Sequence, residues 1–391
     1  DDTPDVSSSI ALSDAYIGED GSSIVHLFGV TGKPIFLLNM ELDNGYIRKL
    51  NNLVGCMDAC IADNYLWFIN CHYNALCKID INTGIAEIVD RIPSELLEGE
   101  RLYHDVIKID DKLYFAPNRA KRMAEYDLRT NTFTVVPFKD ADTSMTSQFT
   151  RMVRYKDNLF LIPSYYSAVI RYNIRDRTFK YYPNIVRTVN EYADINARDG
   201  AAFIGAVCVE ENVILMASAK TNVVLEFNMD TEELVTYRVG KEENNYCRMA
   251  YDGNDYWLIP FESNTIVRWN RKTGHTVEYS QYPDGFIGGK YAFLDIVYCC
   301  GFMLVFPKKA NMIVKIDVNT GKMSEFKLAL PYKEGERKEP FYSWPNNYYF
   351  VKKLDAVHIL ALTAYDCSLV IINVETNEFT LKKCVIEKRR P

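Results

Sequence analysis

Residues 313–326 read IVKIDVNTGKMSEF: apolar alternation, a carboxylate, a tight turn, then alternation again, which is how a chain writes one β-hairpin. The phrase recurs as LCKIDINTGIAEI at 76, MAEYDLRTNTFTV at 123, VIRYNIRDRTFKY at 169, VLEFNMDTEELVTY at 224, IVRWNRKTGHTVEY at 266 and LVIINVETNEFTL at 369. Aligned on the residue that opens the turn, the copies give Asp80, Asp127, Asn173, Asn228, Asn270, Asp317 and Asn373, spaced 47, 46, 55, 42, 47 and 56 apart. Asp or Asn suits that place because its side chain caps backbone amides just ahead while the chain reverses.

Ten residues before each turn residue another strand ends, as in WFIN at Asn70, FLIP at Pro163 and LVFP at Pro307. Four of the seven exits are Pro, which costs no ladder bond at a strand end. About eleven residues earlier again a first strand begins, as in HDVIKI, TRMVRY and LDIVYC, least cleanly in FVKKLD. Each unit therefore holds four strands. Seven such units predict an all-β, seven-bladed β-propeller over residues 53–387, since radial repetition protects every sheet edge and one blade cannot bury both faces alone. The long spacings mark insertions, NIVRTVNEYADINARDG at 184 and PYKEGERKEP at 331, which read as polar loops. The seventh unit owns all four strands, so the pattern leaves open how the ring closes; NGYIRKL at 44 is one source of an extra strand.

Composition agrees. Hydrophobic residues make up 48% and aromatics 13%, with 27 Tyr and 20 Phe, enough for a large core of strands. The formal charge is −7, with no basic stripe to suggest a nucleic-acid partner. No apolar run approaches the roughly 18 residues needed to span a bilayer. The opening DDTPDVSSSIALSD has neither a basic nor an apolar signal region, and most of the ten Cys fall inside strands, so a cytoplasmic, reduced chain is expected. CMDAC (Cys56, Cys60) lacks paired CxxC spacing, and neither a metal nor a cofactor is expected.

Residues 1–50 do not fit the repeat. A strand end, a Gly/Ser turn, a helix over about Ser22–Val30 and a strand in PIFLLN predict a short α/β leader. AYIGEDGSSIVHLFGVTGKPIFLLN resembles the C-terminal donor-binding segment of CDP-glycerol glycerophosphotransferase-type (GT-B) transferases, with Asp20, Ser22, Ser23, Lys33 and Pro34 at the matching places. The resemblance covers about 30 residues and implies that Ser22 and Ser23 face a donor diphosphate, at a helix N-terminus suited to anions. It further implies a role in assembling a bacterial cell-surface glycopolymer and a chain that is the C-terminal portion of a longer polypeptide.

In a propeller the loops joining second to third strands and those joining blades share the face around the channel mouth, where binding residues gather on a rigid scaffold. At the start of the first strand the units place Asp58, Asp105, Arg151, Ala206, Arg248, Asp295 and Val351 at one level. Two residues past the strand exit they offer His72, Arg119, Tyr165, Lys220, Glu262, Lys309 and Tyr365. Arg119, Arg151 and Arg248 suit phosphate or carboxylate, and Tyr165 or Tyr166 suits stacking on an apolar face, so the expected partner is a phosphorylated or glycan-like ligand, or a partner enzyme. Propeller lyases and lactonases hold a metal or a His–Glu pair at this mouth; by that comparison His72, His104 and Glu262 are the candidates for a lyase or hydrolase. The alternative to both is a protein-interaction platform.

Overall fold

The seven turn residues do what their chemistry dictates. Asp80 Oδ1 accepts the amides of Asn82 and Thr83 at 2.8 and 3.0 Å, and Asp127, Asn173, Asn228, Asp317 and Asn373 repeat the pair of bonds, while Asn270 accepts from Thr273 at 3.0 Å. The computed structural model describes residues 14–18, 28, 31–37, 54–93, 95–97, 99–138, 147–197, 199–328, 347–364 and 366–387. Contacts divide the chain into two compact units, Asp1–Asn52 and Leu53–Pro391.

The second unit is a ring of seven antiparallel four-stranded sheets. Blade 2 is typical, with strands Tyr103–Ile109, Lys112–Pro117, Arg122–Asp127 and Thr132–Pro137 from the channel outward. Second strands such as Val213–Ala217 and Tyr256–Pro260 are buried at every residue, which is why they read as unbroken apolar runs. Cores lie between blades: Phe115, Val106 and Trp67 join blades 1 and 2, Leu161, Tyr172 and Met123 join 2 and 3, and Trp269, Leu215 and Tyr246 join 4 and 5. Apolar burial is thus supplied by the neighbour.

The ring closes through a strand too short to show a pattern. Val385–Ile386 lies parallel to Ile85–Asp90 on the outer edge of blade 1, giving that sheet five strands. Near this seam Cys71 feels Cys367, Cys56 feels Cys71 and Cys77, and Cys384 feels Cys367, so five of the ten cysteines gather where blade 7 meets blade 1. All ten are free thiols.

One expectation changes. The insertion at 184 is not all loop: Pro183–Tyr192 is an α-helix with Pro in its first turn, seating Ile185, Val186 and Val189 in the core between blades 3 and 4. The insertion at 331 and NGYIRKL lie outside the described residues.

In the first unit Tyr16–Gly18 and Ile35–Leu37 pair in parallel, with Phe28 helical between them. Parallel neighbours require a crossover, so the pairing agrees with an α/β leader. Asp20, Ser22 and Ser23 lie outside the described residues.

Candidate functional site

Inner strands carry a bulge at one shared position. In blade 3 Phe149 pairs with Pro163 and Arg151 with Ile162, and the same shift follows Tyr246, Phe293 and Tyr348. A bulge re-aims the residue after it, and that residue is Arg151, Arg248 or Asp295, while in blade 2 Asp105 lies inside the irregularity between Tyr103 and Val106. In blade 7 the register puts Phe350 against Leu362, so Phe350, not Val351, is the equivalent residue, and Lys352 stands one pleat further along the same strand.

These side chains form one chain of charge across the channel. Lys352 Nζ lies 2.9 Å from Asp58 Oδ1, the Arg151 guanidinium donates to Asp58 Oδ2, and Arg151 Nη2 stands 4.0 Å from Asp295 Oδ2. Arg248 Nε is 3.7 Å from Asp295 Oδ1, and its Nη1 donates to the carbonyls of Ile204 and Cys247. Asp105 accepts from Val106 N and from Met152 N of the next blade, both at 2.8 Å. Blade 4 contributes space. Gly205 has φ +104°, and a Cβ there would stand 3.0 Å from Arg248 Nη1 and 3.5 Å from Arg151 Nε, so the two guanidiniums share a gap only Gly leaves open.

Burial would raise the Asp58 carboxyl, but the Lys352 ammonium and the Arg151 guanidinium outweigh it and hold Asp58 well below the usual range. Burial pushes Asp105 upward, with the Asp58 charge adding to it, and raises Asp295 against the pull of Arg248 and Arg151. Both channel-side histidines are held neutral. Burial lowers His104 to about 3, with Arg151, Arg248 and Lys352 adding to it against Asp58, and lowers His72 to about 4.

The rim residues do not converge as the repeat suggested. His72 Nε2 turns in to the Tyr349 hydroxyl at 2.8 Å. Lys220 Nζ donates to Asn190 Oδ1 of the helix at 2.7 Å, Arg119 stands 3.7 Å from Glu100, and Glu262 stands 3.7 Å from Lys290. Lys309 Nζ sits 5.2 Å from the centre of the Tyr291 ring. Tyr165 is 40% exposed, whereas Tyr166 is buried against Phe138 and Phe149 and is core. Tyr365 lies outside the described residues. Sequence reasoning missed Lys352, Tyr349, Gly205 and Lys308. Lys308 carried a signal, since it directly follows the exit Pro307.

Beneath the rim runs a belt of main-chain bonds from second-to-third-strand loops to blade connectors. Asn118 N donates to Leu102 O, Gln148 N to Asn118 O, Ser164 N to Gln148 O, Ala202 N to Ser164 O and Ala219 N to Ala202 O, at 2.7–3.0 Å. It makes the mouth a stiff platform. Among the described residues no group of three His, Cys, Asp or Glu side chains is placed to hold a metal, and no helix is long and apolar enough to cross a membrane.

No protein-family model matches the chain, and no curated protein matches it in sequence, so nothing beyond the leader motif supports the transferase resemblance. Solved structures do match. Virginiamycin B lyase from Staphylococcus aureus superposes with a TM-score of 0.58 at 12% identity, covering 80% of this chain and 93% of that one. The extracellular domain of a hybrid two-component system from B. thetaiotaomicron gives 0.51 at 13% identity, covering 82% of this chain and 39% of that one. PorZ of the type-IX secretion system of Porphyromonas gingivalis gives 0.52 at 9% identity, over 87% of this chain and 39% of that one. At such identities the likeness is one of fold, and the neighbours differ in function: the chain is a seven-bladed β-propeller.

Proposed function

We propose that this propeller is a non-catalytic recognition module that takes a polar, anionic ligand on the rim of its mouth rather than inside its channel. The observation that carries the reading is the closed charge chain from Lys352 through Asp58, Arg151 and Asp295 to Arg248. Arg151 and Arg248 point at carboxylates and carbonyls of the protein itself, so the arginines that looked free for a ligand act as a plug.

The lyase or hydrolase alternative loses support for the same reason. A general base works best with a pKa near the operating pH, and His72 and His104 fall to about 4 and about 3. Basic groups on the rim, Arg119, Lys309 and the half-buried Lys308, support an anionic ligand, and the stiff belt beneath them supports a preformed surface. The ten free thiols support a reducing, cytoplasmic compartment. The narrower role, in cell-surface glycopolymer assembly, rests on the leader motif alone.

Titration calorimetry with sugar phosphates and oligouronides against neutral oligosaccharides tests this. Saturable heats are expected from the anionic series alone, weakening as salt rises because exposed charges are screened. Equal heats from neutral sugars would overturn the anionic reading, and silence from every small ligand would leave a platform for a partner protein.

A further inference from the structure

In its first turn blade 6 carries two adjacent thiols where blades 1 to 4 carry none. Cys299 ends the first strand opposite Phe302, and Cys300–Gly301 is the two-residue turn between them. Both turn residues are left-handed, Cys300 at φ +50° and Gly301 at φ +77°, a conformation that hairpins ordinarily give to Asn, Asp or Gly. At the place of Cys300 blades 1 to 4 carry Asp63, Asp110, Lys156 and Glu211, left-handed as well and all exposed. Cys300 is instead half-buried.

The two sulfurs meet. Cys299 Sγ and Cys300 Sγ stand 3.6 Å apart, at hydrogen-bonding distance, and Ala356 O lies 3.3 and 3.5 Å from them, within reach of either thiol hydrogen. Ala356 belongs to the blade 7 loop between Tyr348–Lys353 and His358–Thr363, so the contact ties the turn of one blade to the turn of the next. That loop is itself fixed, since Asp355 accepts from Val357 N and His358 N and pairs with His358 Nδ1 at 2.8 Å. Among the described residues no other two thiols make a hydrogen-bonding contact with each other. Burial first, then the neighbouring Cys300 thiol, pushes the Cys299 thiol up to about 12, so Cys299 stays protonated and Cys300 is the thiol that solvent reaches.

We propose that Cys299 and Cys300 form a redox site that a hydroperoxide closes to a disulfide, releasing the turn of blade 6 from blade 7. The Cys300 sulfur attacks the peroxide, whose O–O bond breaks to give a sulfenic acid and one water. The Cys299 sulfur then attacks the Cys300 sulfur; the S–S bond forms as the S–O bond breaks, and the hydroxyl leaves with the Cys299 proton as a second water. The two thiols give up two electrons and the peroxide takes them. Adjacent Cα atoms are about 3.8 Å apart, short of the roughly 4.4–6.8 Å that a disulfide usually spans. The bridge is therefore strained and readily reduced, as labile and regulatory disulfides are. Neither sulfur then has a hydrogen for Ala356 O. The site lies on the face of the outer hairpin turns and does not depend on the reading of the rim.

The test exposes the whole reduced chain to hydrogen peroxide and follows peptide masses and melting temperature, before and after dithiothreitol. Wild type is expected to lose two hydrogens from the peptide that holds both residues and to melt about 2 °C or more lower. Dithiothreitol should restore both. Cys300→Asn, which gives the turn a residue type it favours, is expected to fold and to show neither change. Cys299→Ala should leave Cys300 as a sulfenic acid that dimedone traps. A wild type in which that peptide stays reduced while other cysteines oxidise would overturn the site, and so would Cys300 passing to the sulfinic acid with Cys299 still free. A disulfide that forms without moving the melting temperature would overturn the release of the turn. If peroxide lowers the melting of Cys300→Asn as much as that of wild type, the effect belongs to other thiols and the proposal fails.

Discussion

The two faces of the ring use charge differently. On the face of the outer hairpin turns, a strand residue of one blade pairs with a turn residue of the next: Glu125 with Arg177 at 3.0 Å, Arg171 with Glu232 at 3.2 Å, Glu226 with Arg271 at 2.5 Å. Signs alternate around these three seams, and each clasp concerns two blades. Just inside the mouth the pattern is collective, because Arg151 alone reaches blades 1 and 6 while Lys352 brings in blade 7 and Arg248 blade 5. A clasp holds neighbours in register; the channel network fixes residues far apart in sequence, Arg151 and Asp58 being 93 positions apart.

The contrast predicts unequal costs. Arg151→Met leaves Asp58 with Lys352 alone and Asp295 with its 3.7 Å contact to Arg248, and breaking a buried pair by removing one partner costs about 3–5 kcal/mol. With those second cations remaining, about 3 kcal/mol is expected, read as a lower urea midpoint at unchanged slope. Arg177→Met, in a half-exposed clasp, is expected to cost about 1 kcal/mol or less. Equal costs would erase the distinction between the faces.

Acid should strike the mouth next. His72 and His104 have folded-state values of about 4 and about 3 against an ordinary 6.5, so the unfolded chain binds protons that the folded chain refuses. Their contribution is complete above pH 6.5 and is lost as pH falls toward those folded values, at about 1.4 kcal/mol per pH unit for each group. Asp105 and Asp295 oppose this, since their raised folded values favour the folded state as protons are added, within the carboxylate range. Between pH 6.5 and about 5 the histidines dominate, and a loss of about 2 kcal/mol or more is expected from urea unfolding. His72→Gln, which keeps a partner for Tyr349, should flatten that slope by nearly one proton. An unchanged slope would mean that His72 is protonated in the fold.

What the sequence made legible follows from where repetition acts. The seven capped turns, the buried second strands and the blade count are per-blade features, written seven times, so a fault in one copy is corrected by the others. The charges of the channel are written once each. Their level was readable in the six blades where strand boundaries were clear; in blade 7, with its Tyr348–Tyr349–Phe350 run, counting slipped by one residue, and Lys352 stands one pleat beyond that level, where the count did not look. Which charges meet depends on the width of the ring, which no local spacing encodes. The helix Pro183–Tyr192 was missed because only Ile185, Val186 and Val189 of its ten residues are buried, a stripe too thin to outweigh the polar remainder.

The smallest expected effect probes the clasps. Glu125 is 3% exposed and accepts from the Tyr172 hydroxyl at 2.5 Å as well as from Arg177, so Glu125→Gln keeps a hydrogen-bonding group in place while discarding the charge. Arg177→Gln removes the other charge from a more exposed site. If the clasp is a local pair, the double variant recovers part of the summed loss, and the cycle gives a coupling of about 1 kcal/mol. The same cycle run between Arg177 and Arg151, which share no partner, should return nothing beyond about 0.5 kcal/mol. A larger coupling between those two would mean that strain passes from the turns to the channel through blade 3, and the two faces would then be one electrostatic system rather than two.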